Sequence, residues 1–244
     1  MIRGLYAAAD GLLVQAARTD VIAGNLAGMS VPGFKRDVPT VTAFTRALEY
    51  TASQGAAGAP GGARLLVPSS VTDLQPGAQR HTGARFDVAL EGPGFLCVQT
   101  PHGVAYTRSG ALRLDTRHQL VTANGDPVLG QTGPITISGN SVEIRENGDV
   151  MVDGALADRI KMVDFPPGTP LQKIGNGLLV ADASAAIPSP SARVRQGYLE
   201  AANVEAVTEM AAMISTLRAF EASQRAFQAT DETLDKAINE VGRV

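Results

Sequence analysis

Small and apolar residues recur at alternating steps of three and four at both ends of this 244-residue chain, and not in between. Near the N-terminus the stripe consists of Leu5, Ala9, Leu12, Ala16, Thr19, Ala23 and Leu26. Near the C-terminus it consists of Leu217, Phe220, Gln224, Phe227, Asp231, Leu234, Ile238 and Val241. Heptad spacing of this kind predicts an amphipathic helix at each end.

Local signals predict where the two helices begin and end. Gly28, Pro32 and Gly33 end the first helix, because proline lacks an amide hydrogen and glycine readily turns the chain. The second pattern reaches back to about Ala201, which predicts a helix of about 40 residues and roughly 60 Å. A helix of that length extends beyond a compact domain of this size.

Two arrangements of these helices agree with the pattern. Both helices pack on a central domain, or they pair with each other as a coiled coil and leave apolar surface for other subunits. The polar residues Gln224 and Asp231 within the C-terminal stripe favour the coiled coil, because such residues set register. The sequence therefore predicts one discontinuous coiled-coil domain formed by residues 1–34 and 200–244.

Apolar residues alternate with polar ones in the middle of the chain, as they do in half-buried strands. Asn147-Gly148, between Val142–Ile144 and Val150–Val152, is the strongest hairpin signal. Further short runs, all bounded by Gly, Pro, Asn or Asp, are Phe86–Leu90, Leu112–Leu114, Ile135–Ile137 and Leu178–Val180. Short strands at this spacing predict a central antiparallel β-rich domain over residues 86–182.

Two segments lack either pattern and are predicted to be connectors. Residues 35–85 form an extended connector that includes the Gly/Ala-rich stretch 51–63, and residues 183–199 form a return linker. The predicted fold class is α+β, with terminal helices pairing as a coiled coil and a central antiparallel β-rich domain.

Composition excludes several classes of partner. The net charge is -3 and the basic residues are scattered, so nucleic acid is not an expected partner. No apolar run approaches the roughly 20 residues that span a bilayer. No cleavable signal peptide is expected, because Asp10 interrupts the early apolar stretch. The single cysteine, Cys97, excludes an intrachain disulfide.

The sequence lacks the spacing of residues that known catalytic sites require. It contains no phosphate-binding loop, nucleophile elbow, zinc-protease motif or paired CxxC. The three histidines, His81, His102 and His118, lie in separate polar turns. Cys97 lies among apolar residues, which favours a small buried side chain over a nucleophile. We therefore expect no enzyme activity, catalytic residue, cofactor, metal site or small-molecule substrate.

Three ordered blocks resemble the axial proteins of bacterial flagella. The stretch "IAGNLAGMSVPGFKRD" is similar to the N-terminal signature A-x-N-L-A-N-x-x-T-x-G-F-K of flagellar rod and hook proteins, although Gly28 replaces its second Asn. The residues that match it are Asn25, Leu26, Ala27, Gly33, Phe34 and Lys35. The block that starts "DVALEGPGFLCVQT" resembles the family's central segment, and "GYLEAANVEAVTEMAAMISTLRAFEASQ" resembles its C-terminal segment.

The resemblance implies a structural subunit of the flagellar basal-body rod that polymerises axially and transmits torque between motor and hook. Its partners would be other rod proteins, further copies of itself and the flagellar export apparatus. Within the family the blocks are most similar to proximal-rod subunits, with a distal-rod or hook-type axial protein as the alternative. A phage-tail or adhesin-like stalk also joins a coiled coil to β modules, and an enzyme on a β scaffold is a third class.

The resemblance also implies assembly roles for particular residues. Asn25 and Leu26 lie in the signature, Gly33 would permit a tight turn, Phe34 would anchor a pocket, and Lys35 would reach a neighbouring acid. The predicted coiled-coil seam adds Leu217, Phe220, Phe227, Leu234 and Ile238 as contact residues. Because Gly33 lies far along the chain from the β domain, we expect Gly33→Val to leave that domain's stability unchanged, and Gly33→Ala to be milder.

Overall fold

The computed structural model describes residues 2–43, 66–189 and 191–241. Its two long helices are α1, Ile2–Gly28, and α2, Ala206–Val241. The first strands are β1 Asp37–Ala43, β2 Leu66–Thr72, β3 Gln79–His81, β4 Val88–Glu91, β5 Phe95–Thr100, β6 Gly103–Thr107, β7 Leu112–Leu114 and β8 Leu120–Thr122. The others are β9 Val142–Ile144, β10 Asp149–Val152, β11 Ala155–Arg159, β12 Met162–Asp164, β13 Gln172–Gly175, β14 Leu178–Val180, β15 Ile187–Pro188, β16 Arg193–Gln196 and β17 Tyr198–Glu200. The predicted α+β class with antiparallel sheets is confirmed.

The chain divides into two compact units. The first unit contains Met1–Ala27, Asp37–Asp73 and Glu205–Val244, and the second contains Gly28–Arg36 and Leu74–Val204. The Gly/Ala-rich stretch 51–63 lies outside the described residues. Neither long helix, over its described residues, has an apolar stretch that could cross a membrane.

The first unit combines the two helices with a two-stranded ribbon. Strands β1 and β2 pair antiparallel from Asp37↔Thr72 to Ala43↔Leu66. Among the described side chains, α1 and α2 approach each other where the Asn25 amide nitrogen lies 3.4 Å from a Glu209 carboxylate oxygen, and where a Cβ on Gly11 would lie 3.5 Å from the Ser223 hydroxyl. Asn25 lies two heptads after Gly11 and Glu209 lies two heptads before Ser223, so the helices run antiparallel at these contacts.

The buried face of α1 is rotated from the predicted stripe. Val14 and Asn25, outside the predicted stripe, are buried, as is Ile22, which widens it, whereas Ala16 and Ala23 of the stripe are exposed. Apolar and small residues cover most of the circumference of α1, so the spacing shows that the helix is amphipathic without deciding which face makes the contact. The Leu5 side chain lies outside the described residues.

The second unit contains most of the β structure, which is built around two clusters of buried apolar residues. A six-stranded antiparallel sheet has the order β13-β14-β6-β5-β12-β15, and a three-stranded sheet has the order β11-β10-β9. Three antiparallel pairs, β16-β4, β17-β3 and β7-β8, complete it. Leu96, Leu120, Ile135 and Ile160 are among its fully buried side chains.

Local turn signals predicted some strands correctly. The predicted hairpin at Asn147-Gly148 is confirmed, since β9 and β10 pair antiparallel with Val150 opposite Ile144. Ile135–Ile137 differs, because it lies among isolated bridges that involve Pro134 and Thr136 instead of forming a strand. Proline has no amide hydrogen to donate to a continuous ladder.

Both segments predicted as connectors contain paired strands. Strands β1, β2 and β3 lie within residues 35–85, and β16 lies within residues 183–199 and pairs with β4. Strand β17 pairs with β3, and the amide of Ala201 continues this pairing to the carbonyl of Ala78. Because this backbone is committed to a ladder, helix α2 begins at Ala206 and not near Ala201.

Candidate functional site

The segment that follows α1 makes two consecutive tight turns within the second unit. The amide of Val31 donates to the carbonyl of Gly28 at 3.0 Å, and the amide of Phe34 donates to the carbonyl of Val31 at 3.2 Å. The predicted end of the helix at Gly28 and the predicted turn at Gly33 are confirmed, and Gly33 has a φ of 69°. This is the left-handed region, which favours glycine.

Gly33 packs directly against the backbone of the β structure. Its amide donates to the carbonyl of Glu200 at 2.7 Å, and a Cβ at this position would lie 2.3 Å from the carbonyl carbon of Arg108. The expectation that substitution of Gly33 leaves the β structure unaffected is therefore wrong. The expectation relied on the separation of Gly33 from the β domain along the chain, whereas the fold packs the turn against the backbone of residues 108 and 109.

Phe34 is held between α1's last residue and a lysine. A Cβ on Gly28 would lie 2.3 Å from the Phe34 ring, so the absence of a side chain at Gly28 allows the ring to approach the backbone. The Lys173 ammonium nitrogen lies 4.2 Å from the centroid of the Phe34 ring, which is a cation–π distance. Lys173 also donates to the carbonyl of Lys35. Phe34 is thus anchored within its own chain.

A buried carboxylate lies between two buried cations beside this turn. One Glu200 oxygen lies 2.5 Å from the Lys35 ammonium, and the other lies 3.2 Å from the Arg108 guanidinium. All three side chains are buried. The amide of Gly77 donates to the first Glu200 oxygen at 3.0 Å, and Lys35 also donates to the carbonyl of Gln75 at 2.7 Å. We call Lys35, Arg108 and Glu200 the ion cluster.

Arg108 fixes the far side of the ion cluster. Its guanidinium donates to the carbonyls of Leu90 at 3.2 Å and Gly92 at 2.6 Å, in addition to Glu200. Burial lowers the pKa of Arg108, and the charge of Glu200 acts in the opposite direction. Arginine remains charged in proteins, so Glu200 supplies the charge that Arg108 and Lys35 need in this environment.

Asn203 joins the same segments by a second set of hydrogen bonds. Its side-chain oxygen accepts from the amide of Arg36 at 2.6 Å, and its side-chain nitrogen donates to the carbonyl of Gln75 at 3.1 Å. Its own amide donates to the carbonyl of Phe34 at 3.3 Å. Residues 33–36, 75–77 and 200–203 therefore form one bonded junction.

Cys97 and the possible metal-binding side chains can be assessed directly from the structure. Burial raises the pKa of Cys97 to about 11, so its thiol is protonated at neutral pH and is a poor nucleophile. Within the described ranges, no three His, Cys, Asp or Glu side chains are placed to bind a metal ion. The role that this geometry supports for the ion cluster is structural: it joins the chain segments near residues 35, 75–77, 108 and 200.

The sequence-predicted residues fall into three places. Gly33, Phe34 and Lys35 meet at the junction in the second unit, and the acid that Lys35 reaches is Glu200 of the same chain. Asn25 is buried in the first unit and Leu26 is half-buried. On α2, Leu217 is exposed whereas Phe220 and Phe227 are half-buried; the side chains of Leu234 and Ile238 lie outside the described residues.

Sequence reasoning missed the two residues that meet beside Lys35 in the ion cluster. Arg108 lies in "YTRSG" and Glu200 in "GYLE", which are charged residues inside two of the three blocks used for the family resemblance. Their position in those blocks was the available signal. Nothing in their spacing shows that residues 35, 108 and 200 meet, because the contact depends on the folded sheet.

Comparisons with known proteins agree with the three blocks. Residues 89–152 match the family model described as the flagellar hook protein FlgE/F/G D1 domain, and residues 195–240 match that of the flagellar basal body rod FlgEFG protein C-terminal region. Flagellar basal-body rod protein FlgG of Borreliella burgdorferi is 32% identical, over 98% of each chain. Flagellar basal-body rod protein FlgF of Salmonella typhimurium is 33% identical, over 89% of each chain.

We predict that Gly33→Ala strongly destabilises the second unit. A left-handed alanine costs about 1–2 kcal/mol, and the clash with the Arg108 backbone adds about 1–3 kcal/mol. Gly83→Ala is the matched control, because Gly83 has a similar φ of 70° and a Cβ there would make only an ordinary contact, 3.7 Å from the His81 ring. Urea unfolding followed by circular dichroism measures both. Equal losses in the two variants would mean that the packing of Gly33 against residue 108 is unimportant.

We also predict that Glu200→Gln lowers the free energy of unfolding by about 3–5 kcal/mol, because two buried cations lose the carboxylate that they share. Glu146→Gln is the control. Glu146 pairs with Arg193 at 3.5 Å with both side chains exposed, so its loss should leave stability nearly unchanged. The same urea titration measures the stability of both variants. Similar unfolding midpoints for the two would contradict a structural role for the ion cluster.

Proposed function

The chain belongs to the flagellar basal-body rod protein family, and we propose that it is a rod subunit whose terminal helices pair as an antiparallel coiled coil while α2 docks on neighbouring subunits. As a structural subunit of the basal-body rod, it contributes to the axial polymer that transmits torque between motor and hook. No enzymatic role is proposed, since the relatives are rod proteins by name.

The observation that carries this proposal is an exposed apolar stripe on α2. Val207, Met210, Ile214 and Leu217 recur at steps of three and four and are between 45% and 75% exposed. On another face of the same helix, Glu209 and Thr216 are buried. Contiguous apolar surface that is exposed to water usually marks an interaction site, so the stripe fits a contact with another subunit.

The two faces of α2 support two different contacts. The face that includes Glu209 and Ser223 touches α1 of the same chain. The stripe of Val207 to Leu217 remains for a second subunit. Contacts between different surfaces of identical or related subunits do not close into a pair. They repeat in one direction and, unless they close into a ring, they generate a helical stack. This is the geometry that an axial rod requires.

The ion cluster fits the mechanical task of a rod subunit. Lys35, Arg108 and Glu200 hold the segment after α1 and the segment before α2 within one rigid junction of the second unit. The bonds hold these two segments to each other within the second unit. A subunit that transmits torque benefits from such a rigid junction, because a loose one would absorb part of the rotation.

Within the rod we propose the proximal position, and export through the flagellar export apparatus into the periplasm-spanning rod. The similarity of the central block to proximal-rod subunits supports this position. Relatives named FlgF and FlgG match at 33% and 32% identity, so a genetic test has to separate the two positions.

We predict that Leu217→Asp blocks incorporation into the rod, because a carboxylate in a subunit contact loses its hydration without gaining a partner. The second unit should unfold at the same urea concentration as in the parent. Ser215→Asp, which places the same charge at an exposed position outside the stripe, is the control and should assemble. Immunoblots of purified basal bodies and of the exported fraction measure the outcome.

Incorporation of Leu217→Asp at the level of Ser215→Asp would contradict the proposed contact. Leu217→Asp protein that is exported but absent from basal bodies supports it. Retention inside the cell would instead assign the stripe to recognition by the export apparatus.

The proximal assignment predicts the effect of deleting the gene. Basal bodies imaged by electron cryo-microscopy should then lack the distal rod as well as the subunit itself, since the distal segment is built on the proximal one. Basal bodies that keep a complete proximal segment and lose only the distal one would assign the chain to the distal rod.

A further inference from the structure

Asn25 and Glu209 are the two most deeply buried polar side chains among the described residues of the first unit. They are 1% and 2% exposed, and they lie on different helices, α1 and α2. A buried amide or carboxylate needs hydrogen-bond partners, because each unpaired polar group opposes folding. Their partners therefore show what the pair does.

The side chain of Asn25 is fully used. Its oxygen accepts from the amide of Asp37 and its nitrogen donates to the carbonyl of Asp37, both at 2.8 Å. This ties the end of α1 to the start of β1. The second hydrogen of the amide nitrogen points to α2, where a Glu209 oxygen lies at 3.4 Å. An asparagine amide has two donor hydrogens, and both are committed.

A second approach between the helices is made by small residues. At the other contact, Gly11 faces Ser223, and the nearest atoms that a Cβ on Gly11 would meet lie at 3.5 and 4.0 Å. Small residues such as these allow close approach in more than one register. A slip of one helical turn would place Asn25 opposite Met213, which cannot accept its hydrogen as a carboxylate does, or opposite the exposed Glu205.

We propose that Asn25 and Glu209 are positioning residues that select the register in which α1 and α2 pair. A buried polar contact is known to fix register where apolar contacts leave several alignments open. Because Asn25 also holds Asp37, the register of the helices sets the position of the β1–β2 ribbon in the same unit. The proposal rests on the pairing of the terminal helices described under the proposed function.

Disulfide cross-linking reads the register directly. In the full chain with Cys97→Ala, the in-register pair is Gly11→Cys with Ser223→Cys, whose Cβ atoms would lie 4.0 Å apart, a distance typical of disulfides. Two shifted pairs join Gly11→Cys to Ala219→Cys or to Phe227→Cys, one helical turn to either side. Mild oxidation at low protein concentration and non-reducing electrophoresis then give the rate of intrachain cross-linking.

In the parent, the in-register pair should cross-link about tenfold faster than either shifted pair, the order expected when a slip exchanges a buried hydrogen bond for no bond at Met213 or for a solvent-exposed one at Glu205. Asn25→Ala should bring the three rates to within about twofold of one another, because no buried amide then distinguishes the alignments. Glu209→Gln should preserve the tenfold preference, since its amide oxygen still accepts from Asn25 and keeps the contact.

The outcomes separate this proposal from the pairing itself. If all three rates fall by the same factor in Asn25→Ala, or if the preference survives, Asn25 does not select register and the proposal is overturned while the pairing stands. If the parent shows no preference among the three pairs, the antiparallel pairing fails, and the register proposal fails with it. Only loss of the preference in Asn25→Ala with its retention in Glu209→Gln supports the proposal.

Discussion

The buried carboxylate of Glu200 is the interaction on which the second unit depends. It balances Lys35 and Arg108, which are buried with it, and it also accepts the amide of Gly77. A charge removed from water must meet an opposite charge and hydrogen-bond donors, or the fold is destabilised. Satisfying Glu200 therefore requires that segments near residues 35, 77, 108 and 200 all be in place at once.

This requirement explains other features of the junction. Gly33 lacks a side chain because the turn lies directly on the backbone of residue 108, and Phe34 lies beside Gly28 for a similar reason. The apolar core beneath supplies the driving force, and the ion cluster supplies the specific alignment. A subunit that works by transmitting force benefits from this division, because apolar contacts alone permit sliding.

The first unit also combines close packing with a buried polar contact, although it uses fewer polar groups than the ion cluster does. Small residues bring α1 and α2 close together, and one buried contact between Asn25 and Glu209 gives the pair a preferred alignment. The exposed stripe that begins at Val207 then lies on a surface whose orientation is set by that alignment. Assembly surfaces on a helix have a defined position only when the helix itself has one.

The sequence by itself determined the features that depend on neighbouring residues. The end of α1 at Gly28, the turn at Gly33 and the hairpin at Asn147-Gly148 follow from local backbone preferences, and the family followed from three blocks in order. Only the tertiary structure decided the pairing of β17 with β3, the contact of Asn25 with Glu209 and the ion pair of Lys35 with Glu200. These depend on residues more than 100 positions apart, and periodicity within one segment carries no information about which distant segment it meets.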